Sequence, residues 1–182
     1  MLDRRTFIQA SLVVAALPTM TLARTVITAE AGLYVVVDGV CGDARRFAAQ
    51  CASAMPAASD ALTVVAALAR DDARRCFGLS RDSHYFVIEQ MAADLGYRPG
   101  YHGVHDYRAD GLRHQLTGAR AIVNPLAEAL ARAGAAWTGA LADALPSLTD
   151  DRGRDTRVDS RSDSARPADS GGYLVSWCLH RT

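Results

Sequence analysis

The stretch Leu33-Tyr34-Val35-Val36-Val37-Asp38-Gly39 decides the fold that we expect for this chain. Its apolar part is rich in β-branched residues and lacks the 3.6-residue period of an amphipathic helix. An apolar run without alternation is typical of a strand that is buried on both faces. The stretch therefore predicts a buried, central strand, and the pair Asp38-Gly39 predicts a turn where that strand ends.

The residues after this strand predict a loop and then a helix. Gly39 to Gly42 form the loop, Asp43 can cap the helix, and the apolar positions that follow fall on one face. Further elements alternate along the chain: a helix after Asp60, a short strand at 76–79, a helix that ends at Gly96, a hairpin with strands at 101–108 and 112–117, a helix from Asn124 to Pro146, and a strand at 173–179. This alternation predicts a layered α/β fold, to which the hairpin adds an antiparallel element.

The segment 147–172 consists mostly of Asp, Arg, Ser and Gly and has almost no apolar side chains. Burial of so little apolar surface does not offset the entropy that the chain loses when it becomes ordered. We therefore expect a disordered loop here. The mostly apolar run Tyr173–Leu179 then returns to the sheet as the C-terminal strand.

The N-terminal segment Met1–Ala23, MLDRRTFIQASLVVAALPTMTLA, has the three parts of an export signal. Arg4 and Arg5 precede Phe7, a short apolar run follows, and Thr21-Leu22-Ala23 then offers small residues at the positions that a signal peptidase reads. The segment resembles the twin-arginine signal peptides, in which an arginine pair and a Phe precede a modest apolar run. The resemblance implies recognition by the twin-arginine translocase, cleavage by signal peptidase and a periplasmic location.

The N-terminal segment departs from the family pattern at two positions, offers two cleavage positions and has a short apolar run. Asp3 stands where the family usually has Ser or Thr, and Gln9 stands where Lys is common. Cleavage after Ala23 is the first choice, and Ala29-Glu30-Ala31 is the second. The alternative is a membrane anchor or an ordinary helix, but a span needs about 20 apolar residues and this run is shorter. No stable membrane span is therefore expected after cleavage.

The composition limits what the rest of the chain can do. The expected organisation is a signal peptide at 1–23 and a single α/β domain at 24–182, with the disordered insertion at 147–172. The chain has 20 basic residues, all of them Arg, and 20 acidic residues. The absence of lysine excludes catalysis by phosphate-loop, Schiff-base and pyridoxal-phosphate lysines. Because the charge is balanced and no basic stripe occurs, nucleic acid is not an expected partner.

Four cysteines occur, at Cys41, Cys51, Cys76 and Cys178, and no two of them form a CxxC pair. A structural zinc site or a dithiol redox motif is therefore not expected. Export to an oxidising compartment permits disulfides, and four cysteines allow three pairings, among which the sequence does not choose. The Cys41–Cys51 pair is the least favoured, because Cys51 lies two turns into the helix that follows Cys41.

The first candidate site, for ligand binding, contains Asp38, Gly39 and Gly42. These residues follow a strand and precede a helix, which is where ligands bind in open α/β sheets. Asp38-Gly39-Val40 resembles the first motif of the haloacid-dehalogenase phosphatases, with Val36 at the place of that family's second Asp. The competing interpretation is a tight turn followed by a helix cap.

The second candidate site is centred on Ser80, in the sequence Phe77-Gly78-Leu79-Ser80-Arg81-Asp82. A strand, a sharp turn and a helix with serine at the corner partly resemble the nucleophile elbow of the α/β hydrolases, with Asp82 in place of the last glycine. Asp106 and His114 follow in a chain order that suits a catalytic triad, because a histidine oriented by a carboxylate activates serine. The competing interpretation is a serine that caps a helix.

The third candidate site is the histidine-rich hairpin. His102 and His105 have the spacing of a metal pair only if their segment is helical or bent, because residues three apart on a strand point to opposite faces. A three-residue turn at 109–111 would place Asp106 opposite His114. Such a pair would serve either catalysis or simple cross-strand stabilisation.

These motifs leave two classes of function open. The favoured class is a periplasmic, non-catalytic binding protein or redox-associated accessory protein, with a periplasmic protein or a small molecule as partner. Its candidate ligand-binding residues are Asp38, Gly39, Gly42 and Arg108. The alternative is a small hydrolase-like or metal-dependent periplasmic enzyme. The sequence identifies no cofactor.

Overall fold

The computed structural model describes residues 26–28, 33–51, 61–70, 75–149 and 155–181. The strands in these ranges are β1 (Val26–Thr28), β2 (Leu33–Val37), β3 (Arg75–Ser80), β4 (Tyr97–Arg108), β5 (Gly111–Ala119), β6 (Asp155–Ser162) and β7 (Tyr173–Arg181). The helices are α1 (Gly42–Gln50), α2 (Ala61–Arg70), α3 (Asp82–Ala93), α4 (Arg120–Ala133) and α5 (Trp137–Ala144), with 3-10 helices at Gly134–Ala136 and Leu145–Thr149. The predicted α/β fold is confirmed.

One mixed sheet of seven strands organises the described residues, in the order β1-β2-β3-β7-β4-β5-β6. β2 and β3 are parallel, and every other neighbouring pair is antiparallel. The strand predicted at Leu33–Val37 is confirmed as β2, but the middle of the sheet is β7. Residues 174–179 of β7 are all buried, as expected for an apolar run with covered faces.

The two faces of the sheet are covered differently. α1, α4 and α5 pack on one face, where Trp137 of α5 lies against His105 of β4. On the other face, Tyr85 of α3 contacts Trp177 of β7 and His102 of β4. α3 thus covers β3, β7 and part of β4. The same face of β5, β6 and the end of β4 carries exposed or half-buried side chains, most of them polar, and we call this region, together with Tyr173 at the start of β7, the open face.

The prediction of a disordered loop at 147–172 is wrong where the structure describes that segment. Residues 155–162 form β6, which pairs with β5 and packs against α4. Val158 packs against the core, whereas Arg157 and Asp159 are exposed. A strand with one solvated face needs few apolar residues, and its backbone hydrogen bonds to the neighbouring strand supply the order that composition alone does not indicate.

The single helix predicted from Asn124 to Pro146 is also incorrect, because two helices cover this region. α4 begins at Arg120, so that Asn124 and Pro125 lie inside it rather than at its start. Gly134, with a φ of 54°, ends α4, and a short 3-10 turn leads into α5. The predicted apolar stripe is nevertheless buried in both helices, with Leu126 and Leu130 in α4 and Trp137 and Leu141 in α5.

The four cysteines are free thiols. Cys41 and Cys51 flank α1 at its two ends. Burial raises the pKa of the Cys51 thiol to about 12 and also raises that of Cys76.

The signal segment with Arg4, Arg5, Phe7 and Ala23 lies outside the described residues, and so does the second cleavage position at 29–31. Among the helices that the structure does describe, none is long and apolar enough to cross a membrane.

Candidate functional site

The hairpin of β4 and β5 has a different register from the predicted one. Its turn contains two residues, Ala109 and Asp110, because Gly111 already pairs with Arg108 as the first residue of β5. His114 therefore lies opposite His105, and Asp106 lies opposite Arg113. A shift of one residue moves a side chain to the other face of a sheet, so the predicted Asp106–His114 pair is wrong.

Ser80 is not an exposed nucleophile. It is fully buried at the end of β3, where its Oγ accepts a hydrogen bond from Nε1 of Trp177 at 3.0 Å. The Ser80 hydroxyl donates to the carbonyl oxygen of Arg81 at 3.2 Å. β7 separates Ser80 from the hairpin, and His114 projects from the opposite face of the sheet. The structure therefore does not bring Ser80, Asp106 and His114 together.

The crevice beyond the carboxyl ends of β2 and β3 is occupied by groups of the chain itself. One carboxylate oxygen of Asp38 accepts from the backbone N–H of Val40 at 3.1 Å, and the other accepts from Nε of Arg81 at 2.6 Å. The Gly42 N–H donates to the carbonyl oxygen of Asp169 at 2.9 Å. A Cβ at Gly42 would lie 2.0 Å from the Asp169 carboxylate, so a side chain at this position would displace that carboxylate. A cavity of about 250 Å³ remains beside Asp38 and Arg81.

Asp43 does not cap α1 as predicted, because the N-cap residue is Cys41 and Asp43 lies in the first turn. The Asp43 carboxylate is buried and accepts from Arg46 at 2.7 Å and from the Tyr107 hydroxyl at 3.4 Å. Tyr107 in turn accepts from Nε1 of Trp137 at 3.1 Å. Asp43 therefore ties α1 to β4 and α5.

His102 and His105 do not form a metal pair. The strand geometry directs them to opposite faces, where His102 lies against Tyr85 and His105 is fully buried under Trp137. In the described part of the chain, no three His, Cys, Asp or Glu side chains are grouped as metal ligands would be.

A buried polar network connects β4, β5 and β7. The Nδ1 atoms of His105 and His114 are 2.8 Å apart, and Nε2 of His105 is 2.7 Å from Oγ of Ser176. The Tyr101 hydroxyl is 2.8 Å from the same Oγ. Since one Nδ1 must donate and the other accept, the tautomer of each histidine fixes that of its neighbour.

Burial makes both histidines of this network weak bases. It lowers the pKa of His114 to about 4 and lowers the pKa of His105 well below its ordinary value. The ring of Trp137 stacks on His105 with a centroid distance of 4.4 Å. His105, His114 and Ser176 are each at most 1% exposed, so the serine–histidine contact cannot reach a substrate from solvent. The network therefore specifies the core rather than forming an active site.

The open face carries two rows of side chains that run across the strands. One row joins Tyr173, Asp106, Arg113 and Arg161, from β7 to β6. The next row joins Val175, Val104, Gln115 and Asp159, and it lies on the open face only from Val104 onwards, because Val175 is fully buried. The rows bring together residues that are far apart in sequence, because β7 and β6 lie on either side of the hairpin.

Ion pairs and hydrogen bonds organise this surface. Nε of Arg108 donates to Asp106 at 2.6 Å, and Nε2 of Gln115 donates to Asp159 at 2.9 Å. The guanidinium groups of Arg113 and Arg161, which are direct cross-strand neighbours, both donate to the Asp110 carboxylate, at 3.3 and 3.0 Å. This shared carboxylate reduces the repulsion between two adjacent like charges.

A groove of about 230 Å³ lies in the open face. Its lining residues are Val104, Asp106, Arg108, Arg113, Gln115, Asp159 and Tyr173. A second concavity shares Arg113 and Asp159 with it and extends to Arg161. The groove thus combines guanidinium groups, carboxylates, an amide and one aromatic ring, so it can hydrogen-bond both donors and acceptors.

The sequence identified Asp106 and Arg108 of this groove but missed the other five residues. A signal for β6 does exist, since Arg157, Asp159 and Arg161 recur at the two-residue period of a strand. Arg113 and Gln115 were missed because the predicted hairpin register was off by one residue, and Tyr173 joins the groove only through the order of the strands. No protein-family model, curated protein or solved structure matches this chain.

Proposed function

We propose that this chain is an exported, non-catalytic binding protein, whose open face holds a small polar ligand of the amino-acid type. One observation carries the proposal: the groove on the open face combines both signs of charge with the exposed ring of Tyr173. Its volume of about 230 Å³ is below the roughly 300–1,000 Å³ of sites for drug-sized molecules, which favours a small ligand.

The chemistry of the groove matches a zwitterion. Arg108 contacts Asp106 through Nε, so its guanidinium has terminal N–H donors beyond this contact, and these suit a carboxylate. Asp106 and Asp159 can accept hydrogen bonds from an ammonium group. Val104 and the Tyr173 ring offer contacts for an aliphatic side chain.

The enzyme alternative has less support. Its three residues Ser80, Asp106 and His114 are separated by strand order and face, and the Ser176–His105 contact is buried. A catalytic nucleophile and its base must lie within hydrogen-bond reach of each other and of a substrate. A redox-associated accessory role remains a second version of the binding proposal, with a protein surface in place of the small ligand.

Export is part of this proposal and rests on the N-terminal sequence. The proposed signal ends at Ala23, before β1 begins at Val26, so cleavage there retains the strand that pairs with β2. Cleavage at Ala29-Glu30-Ala31 would remove it, which favours the first position.

The export proposal is tested by the double substitution Arg4→Lys with Arg5→Lys. We expect this precursor to stay in the cytoplasm, because the arginine pair is the feature that the translocase reads. The matched control is Arg24→Lys, which lies outside the pair and should leave periplasmic yield unchanged. Equal periplasmic yields of the double variant and the control would overturn the twin-arginine assignment.

The binding proposal is tested by titrating ¹⁵N-labelled protein with L-glutamate, with L-arginine and with glucose as an uncharged probe. We expect chemical-shift changes for an amino acid at Asp106, Arg108, Arg113 and Gln115, and none for glucose at the same concentration. Changes confined to Asp38 and Arg81 would move the site to the other crevice. If neither amino acid shifts any open-face residue, the proposed ligand class is wrong.

A further inference from the structure

The last strand of the sheet, β6, carries an alternating pattern of charge, of which the proposed binding function uses only Asp159. β6 pairs only with β5 among the described strands, so its other edge is the end of the sheet. An edge strand presents unpaired backbone N–H and C=O groups, which form a template for another strand. Another strand could therefore pair with this edge of β6.

Charges of opposite sign alternate along one side of this strand. Arg157, Asp159, Arg161 and Asp163 occur at every second residue and are exposed. Side chains two residues apart on a strand share a face, and Asp163, one residue beyond the end of β6, contacts Arg161 at 3.7 Å. Natural edge strands often avoid pairing by means of charge, but a row with a single sign would repel a second copy most effectively.

An alternating row is instead complementary to itself. If two copies of β6 pair antiparallel about a two-fold axis at Ser160, Asp159 of one copy lies opposite Arg161 of the other. Arg157 then lies opposite Asp163, and the same two contacts recur across the axis. An isologous interface requires this kind of self-complementarity, and cross-strand pairs of opposite charge stabilise antiparallel strands.

We propose that β6 is a homodimer interface, at which the sheets of two chains join through antiparallel β6 strands with Asp159 facing the partner copy's Arg161. The joined sheet would extend both open faces into one surface. The inference does not depend on the amino-acid ligand, because it rests on the edge of β6 and its alternating charges, although Asp159 also lines the groove.

A charge swap tests the pairing. The full purified chain is examined by sedimentation velocity as wild type, as Asp159→Arg, as Arg161→Asp, as the double variant and as an equal mixture of the two single variants. We expect dimers for the wild type. Each single variant should dissociate with a dissociation constant raised at least about tenfold, because like charges then face each other across the two-fold axis.

The double variant and the mixture distinguish pairing from damage to the fold. Both restore opposite charges at every facing position, so both should return to the dimer, whereas a general loss of structure would not be rescued. Arg161→Asp also removes a contact with Asp110, and circular dichroism checks that each variant is folded. If a single variant unfolds, the test rests on whether the folded double variant forms a dimer in sedimentation velocity.

Three results would overturn the proposal. The first is a wild-type chain that stays monomeric at the highest concentration attained, and the second is a dimer that neither single substitution weakens. The third is a failure of both the mixture and the folded double variant to dimerise. Hydrogen exchange supplies a second readout, since dimerisation should slow the exchange of the β6 amides that do not bond to β5.

Discussion

The Nδ1 atom of His105 lies 2.8 Å from the Nδ1 atom of His114, in the core between the sheet and α5. Tyr101, Ser176 and Trp137 surround the pair with neutral groups. Burial is the main cause of the lowered pKa of His105, and His114 and His102 lower it further. Both rings are therefore uncharged at neutral pH, and protonation opposes folding.

The first prediction is a loss of stability in acid. The pKa of His114 is about 4 in the folded chain against 6.5 for an ordinary histidine, so the unfolded chain binds more protons between these values. Stability should be complete above pH 6.5 and fall as the pH decreases towards 4. From His114 alone, urea unfolding should show a loss of about 2 kcal/mol between pH 8 and pH 5.

The variant His114→Gln removes this titration, so its stability should depend less on pH over the same range. A wild-type free energy of unfolding that is constant from pH 8 to pH 5 would show that the histidines are not buried as described.

The second prediction concerns Asp106, which pairs with Arg108 and not with His114. Asp106→Asn removes a partly exposed ion pair and should lower the free energy of unfolding by no more than about 1 kcal/mol. Because Asp106 lies on the other face of the sheet, the pKa of His114 should stay low, as an NMR titration of its ring would show. A shift of about one unit would instead favour the register with the three-residue turn.

The third prediction concerns the hydroxyl of Ser176, which lies within hydrogen-bond distance of both Tyr101 and His105. Ser176→Ala leaves two buried polar atoms without this partner and should cost about 2–4 kcal/mol. Tyr101→Phe removes one of those atoms, so the double variant should cost less than the sum of the single ones. Additive effects in chemical denaturation would argue against the network.

The fourth prediction concerns the close approach of Gly78 to Trp177. A Cβ at Gly78 would lie 2.1 Å from the indole ring, so Gly78→Ala should destabilise the fold by about 1–3 kcal/mol through overpacking. Trp177→Leu creates room beside it. We expect the double variant Gly78→Ala with Trp177→Leu to have a higher thermal midpoint than the sum of the two single effects predicts. If the two effects are additive, the indole ring of Trp177 does not lie against Gly78.

The sequence predicts the elements whose pattern is local. The apolar runs of β2 and β7 identify both strands, and the alternation of strands and helices identifies the α/β class. β6 was missed because a strand with a solvated, charged face has the composition of a disordered segment. The hairpin register was missed because Gly111 can serve either as a turn residue or as the first residue of a strand.

The groove could not be predicted from local patterns, because its residues are brought together by the order of the strands. β7 is the last strand in sequence, yet it inserts between β3 and β4 and places Tyr173 beside Asp106. β6 approaches β5 from the other side and adds Asp159 next to Gln115. The local sequences of these strands do not indicate that β7 lies beside β4 or that β6 lies beside β5.

The most direct test of the proposed function is the affinity for L-glutamate measured by isothermal titration calorimetry on three chains. Arg108→Gln should weaken binding at least about tenfold, because it removes the guanidinium proposed to hold the ligand carboxylate and a hydrogen bond to a charged group contributes about 1.5–3 kcal/mol. Phe86→Ala, which changes an exposed residue of α3 outside the groove lining, should bind like the wild type. Equal affinities of Arg108→Gln and the wild type would contradict the assignment of the open face as the binding surface.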